Sequence, residues 1–129
     1  MIRDCRGVMV AARSNMLAAR YDVEVTEALA IEEGVLLVHD MMLSQVIIES
    51  DRLAVVQATN SRSFHGGMGP IIQGARSLLS QFCSWKAEHL KRDYNKVAHE
   101  VAQFARNTRM SQTWIGTEPL MQLCSTIFF

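Results

Sequence analysis

The chain lacks what several protein classes require. Its apolar runs, such as Val35-Leu36-Leu37-Val38 and Val46-Ile47-Ile48, fall far short of the about 20 residues that cross a bilayer, which excludes a membrane helix. There is no excess charge of either sign, 13 Lys and Arg standing against 13 Asp and Glu. Binding a polyanion through bulk charge is thereby excluded, and any nucleic-acid contact must be local. The three cysteines, Cys5, Cys83 and Cys124, lie far apart with no CxxC, so neither a disulfide framework nor a zinc site is indicated, and reduced intracellular thiols are expected. The opening Met1-Ile2-Arg3-Asp4-Cys5-Arg6 has none of the apolar stretch, about seven residues or more, that a secretion signal carries. What is present is one soluble domain's worth of chain: 129 residues, 49% hydrophobic and 20% charged. Roughly two thirds of the unfolded surface can be buried at that length, enough for a core without disulfides or structural metal.

Hydrophobic periodicity switches between two and about 3.6 in an order that alternates strand and helix, which makes the class α/β. Residues 1–13 read as a hairpin with its φ > 0 position at Arg6-Gly7 and a short strand over Val8-Met9-Val10-Ala11. From Thr26 to about Met42 the spacing predicts a helix with Ala30, Ile31, Gly34, Val38 and Met41 on one face. Gln45 to Asp51 is apolar on both faces, like a central strand covered by helices, and a short helix follows over Arg52 to about Ala58. After a Gly- and Ser-rich loop over 59–69, Pro70 opens a helix whose stripe is Ile71, Ala75, Leu78 and Phe82. Cys83 to about Lys91 reads as another strand, and Asn95 as the cap of a helix with Val97, Val101 and Phe104 facing inward.

Glu27 aligns with the apolar face of its helix, where a charge is costly unless something binds it; the plain alternative is a first-turn carboxylate favoured by the helix dipole. Asp51 ends an apolar strand, the place where ligands gather in open α/β sheets, and it would equally serve as a helix N-cap. His99, early in the last helix, is placed to stay neutral and to ligate or accept a proton, although a lone helical histidine is commonly structural. Trp85, Lys86, His89, Lys91 and Arg92 form a basic and aromatic cluster suited to phosphate and base contact, or else a solvated edge.

Taken in order, IRDCRG, TEALAIEEG, VIIESD and HLKRDYNKVAHEVA resemble the reverse-transcriptase-like branch of type 1 ribonuclease H domains, abundant in plant retroelement polyproteins. The resemblance covers about residues 1–107 and implies a three-layer ribonuclease H-like fold, a mixed five-stranded sheet with flanking helices. It also implies a two-ion Mg²⁺ or Mn²⁺ site that cuts the RNA strand of an RNA–DNA hybrid. Residue by residue, Glu27 matches the family's helix carboxylate and Asp51 the carboxylate ending its fourth strand, which makes these two the expected metal ligands. His99 falls on the fourth acidic position and completes the expected catalytic set; Arg92 and Asn95 match the arginine and asparagine before the last helix. The family's first aspartate lies on a central strand ahead of IRDCRG, so the resemblance implies a domain over 1–107 that is incomplete at its N-terminus, with a tail over 108–129. Two carboxylates poorly serve a two-ion reaction, and little or no turnover is expected. The alternative is a non-catalytic module that binds nucleic acid or protein. A sheet without that strand would have two unpaired edges open to self-association. The uncharged, β-prone tail Leu123-Cys124-Ser125-Thr126-Ile127-Phe128-Phe129 is suited to cover such an edge, in its own chain or in another.

Overall fold

Six strands form one sheet in the order β4-β3-β6-β1-β2-β5 in the computed structural model, which describes residues 1–61, 66–94, 96–116 and 124–128. In chain order the elements are β1 (Ile2–Arg3), β2 (Met9–Ser14), α1 (Val23–Asp40), β3 (Gln45–Ser50), α2 (Leu53–Asn60), α3 (Gly69–Leu79), β4 (Ser84–His89), α4 (Lys96–Thr108), β5 (Gln112–Ile115) and β6 (Cys124–Phe128). A short 3₁₀ turn over Arg92–Tyr94 precedes α4. Among the described residues no helix is long and apolar enough to cross a membrane.

β1 and β2 are the expected hairpin, and Gly7 takes the left-handed conformation (φ 81°) that lets the chain reverse there. β2 continues antiparallel with β5, from Ala11 opposite Ile115 to Ser14 opposite Gln112. β3 and β4 run parallel, from Gln45 beside Ser84 to Ser50 beside His89, joined through α2 and α3 as a parallel pair requires. The two halves are joined by β6, which pairs parallel to β3 (Ile48 beside Ile127) and antiparallel to β1 (Ile2 opposite Ile127). Cys124–Phe128 of the tail therefore lies within the sheet. The edges expected to be open on β1 and β3 are both paired by it, which removes the basis for self-association through them and makes six strands where five were expected. Gln112–Ile115 likewise belongs to the sheet rather than to a separate tail.

The core centres on Ile2, Ile31, Val35, Val38, Val46, Ile48, Val55, Ile72 and Leu79, all about fully buried. Val46, Ile48 and Ser50 alternate inward along β3, while Ile47 and Glu49 on its other face are only half-buried. Three helix faces differ from expectation. On α1 the buried residues are Ala28, Ile31, Val35, Leu37 and Val38, and Ala30, Gly34 and Met41 are half-buried. This helix is apolar nearly all round, so spacing alone leaves its inward stripe undetermined and packing against α3 decides it. On α3 the buried stripe is Ile72, Ala75 and Leu79, one position on from the expected one, with Ile71, Leu78 and Phe82 at the margin of the core. Phe104 of α4 is also not inward: it is half-exposed and meets Trp114 edge-to-face, centroids 5.6 Å apart, while Ala105 is buried. α1 closes in a Schellman turn, the N–H of Leu43 donating to Val38 O and that of Met42 to His39 O, with Met42 in the left-handed region (φ 57°).

Candidate functional site

Three segments distant in sequence meet where β3 ends. The inward alternation of Val46 and Ile48 carries on to Ser50, which is fully buried. The strand stops there, and the Ser50 hydroxyl accepts from the N–H of Arg52 at 3.2 Å while donating to Glu27 Oε2 across 3.5 Å. Glu27 is the fifth residue of α1, beyond its first turn, where Glu24 sits; the first-turn reading of Glu27 is therefore set aside. Asp51 does not cap α2 either, because Arg52 holds the N-cap position and no side chain caps there. Its carboxylate, 8% exposed, instead lies beside an imidazole and a guanidinium: His99 Nε2 is 3.3 Å and Arg92 Nε 3.9 Å from Oδ2. The buried His99 Nε2 is near Asp51 without the alignment of a hydrogen bond. A ring nitrogen of His89 lies 3.3 Å from the Asp51 carbonyl oxygen.

Two carboxylates are thus brought together partly out of water. Burial first, and then the charge of Asp51, push the Glu27 carboxyl above its ordinary range; Arg52, His99 and the Ser50 hydroxyl offset part of that. Such a pair attracts cations. Among the described residues no three His, Cys, Asp or Glu side chains are arranged to hold a metal ion, so the converging donors are the two acids, with His99 beside them. Ser50 and Arg52 escaped the sequence reading. For Ser50 the signal was available, since it follows Val46 and Ile48 at period two in front of Asp51.

The expected basic and aromatic cluster does not form one surface, because β4 alternates its side chains across the sheet. Trp85 packs half-buried at the edge of the core with the Arg76 guanidinium 5.6 Å above its ring. Arg76 also donates to the carbonyls of Thr59 and Ser61, closing the end of α2, and Asn60 ties that end to Ala87 O at 3.0 Å. Lys86 points to the opposite face and pairs with Glu88 at 2.7 Å. Lys91 is exposed, His89 and Arg92 join Asp51, and Asn95 lies outside the described residues.

A family model described as reverse transcriptase-like matches residues 1–105. Among solved structures, the chain is similar to the N-terminal RNase H domain of a Mycobacterium tuberculosis protein, solved fused to maltose-binding protein: TM-score 0.72, 21% identity, 81% of this chain and 76% of that one. It is also similar to RNase H1 of the halophilic archaeon Halobacterium salinarum, with a TM-score of 0.65, 20% identity and 70% of each chain covered. No curated protein matches. Likeness at such identity is likeness of fold, and the fold is that of RNase H.

Proposed function

This chain belongs to the reverse transcriptase-like family and has an RNase H-like fold, and on that footing we propose that it is a nucleic-acid-binding domain that takes RNA–DNA hybrid at the Glu27–Asp51 end of the sheet. The observation that supports this most is the convergence of Glu27, Asp51 and His99 from α1, the end of β3 and α4. In this reading Arg92 and His89 sit where a phosphate backbone would pass, and the two acids face the strand to be held.

A divalent ion, Mg²⁺ or Mn²⁺, suits this donor set: the charge conflict that raises Glu27 is one that a bound cation relieves. Glu27 and Asp51 would hold it, and the ion would supply activation of water and neutralisation of phosphoryl charge. Holding two ions about 4 Å apart needs further carboxylates. β6, the strand beside β3, has the sequence CSTIF and contributes none, and Asp51 already lies beside the Arg92 guanidinium and the His99 ring. We therefore expect hybrid binding with little or no hydrolysis. A labelled hybrid titrated at several salt concentrations, then incubated with Mg²⁺ or Mn²⁺, tests both parts. The expected result is affinity that falls with salt, exceeds that for duplex DNA, and comes without cleavage. Equal affinity for duplex DNA would remove the hybrid assignment. Turnover abolished by Glu27→Gln would show a working nuclease instead.

A further inference from the structure

α1 has a second inward stripe beside its core stripe. Glu27, Ala30, Gly34 and Leu37 follow one another at helical spacing and look toward α4, whose Val101 and Ala105 stand opposite, with Ser14 at the end of β2 closing the space. Ala30, Gly34 and Ala105 among the facing residues are small, and a cavity of about 250 Å³ remains. β1 spans Ile2–Arg3 and pairs with β2 at Ala11 and Met9, so it leaves Ser14 unpaired on that side among the described residues. Ser14 is 6% exposed, and its hydroxyl has no hydrogen-bond partner among the described residues. Packed interiors seldom leave either feature alone, and here they coincide.

The chemistry of the walls restricts the occupant. The lining between α1 and α4 is mostly apolar, which disfavours a charged ligand; of the charged groups at its margin, Arg13 is held by Glu33 at 3.2 Å, and Glu27 and His99 stand at the end beside Asp51. An apolar cavity of roughly 150 Å³ holds benzene, so this larger one has room for a second ring. Away from the acid end, the buried Ser14 hydroxyl is the polar group on the wall that lacks a partner among the described residues. We propose that the cavity between α1, α4 and the end of β2 is a binding site for an uncharged bicyclic aromatic molecule with a single N–H or O–H donor for the Ser14 hydroxyl. Glu27 and His99 also line this space, so occupancy is felt at the acid pair. The proposal stands whether or not the chain takes nucleic acid.

Indole is the probe, and indene, which has the same shape without the N–H, is its control. NMR titration of the full chain should show saturable shifts of the Ala30 and Ala105 methyls and of the His99 ring. Indole should bind up to about tenfold more tightly than indene, and Ser14→Ala should erase that difference. Ala105→Leu, or Ala30→Leu from the other wall should the first not fold, should abolish saturation by filling the space. The proposal is overturned by absence of saturable shifts at those methyls up to millimolar indole. Binding that survives both filling variants, or an indole preference that persists in Ser14→Ala, would equally overturn it.

Discussion

The antiparallel half of the sheet (β1, β2, β5) and the parallel half (β3, β4) each remove carboxylates from water, with opposite results. Asp4, in the turn of the hairpin, has a side chain only 1% exposed. Burial works against its charge, but the N–H groups of Val8 and Arg6 and the Arg6 guanidinium all donate to it at 2.9 Å and hold it below the ordinary carboxylate range. Glu27, beside the end of β3, is pushed up first by burial and then by the charge of Asp51, with a long hydrogen bond from Ser50 among the weaker offsets. Burial raises both acids; at Asp4 the donors overcome it, and at Glu27 they do not. The hairpin half spends its acid on folding, and the parallel half keeps its acids in conflict, ready for a ligand.

Deleting residues 123–129 should have the largest effect on this contrast. β6 is the link between the halves, and without it β1 keeps only β2 and β3 only β4, each with an open edge. Stability should fall by an amount on the order of the whole 5–15 kcal/mol that keeps a small domain folded, seen as loss of a cooperative thermal transition. An unchanged melt would refute the six-strand order. Next in size is Asp4→Ala, which should lower Tm by several degrees near neutral pH. The folded pKa of Asp4 lies below its ordinary 3.8, so its contribution is present above that value and lost as pH falls through the folded one. The gap between variant and native protein should accordingly close in acid.

Glu27→Gln should do the reverse on a smaller scale. Because its folded pKa lies above the ordinary 4.5, the native protein is relatively favoured below 4.5 and loses that advantage as pH rises through the folded value. The variant should melt higher near neutral pH and lack this slope. A lower neutral Tm would mean that Glu27 already has a structural partner. The smallest effect belongs to Arg92→Ala, whose side chain is 71% exposed: stability should change by less than about 0.5 kcal/mol, while the salt slope of hybrid binding drops by about one. Lys86→Ala, on the far face of β4, should leave that slope unchanged.

Much of this was legible from local pattern. Period two through Val46 and Ile48 marks β3, and the break at Ser50-Asp51 marks its end. Arg6-Gly7 marks the hairpin, although Asp4, which satisfies that turn, went unread. The inward stripes of α1 and α3 were misjudged because both helices have more apolar positions than one stripe needs, and only the neighbouring element selects among them. Trp85, Lys86 and His89 look like one basic cluster in the linear order, yet a pleated strand sends neighbours to opposite faces. β6 showed its propensity and its fitness to cover an open edge, and the structure decided that both edges belong to its own chain.

By itself the sequence determined the α/β alternation, the hairpin, and acids at Glu27 and Asp51 in positions that core packing alone would not choose, because propensity and periodicity act over a few residues. Tertiary structure alone decided that Cys124–Phe128 lies between β3 and β1, that Ser50 bridges the two acids, and that small residues on α1 and α4 leave a cavity beside them. These contacts join residues tens of positions apart. Their free energy depends on which surfaces are left to bury once the local elements have formed, and no local pattern encodes that.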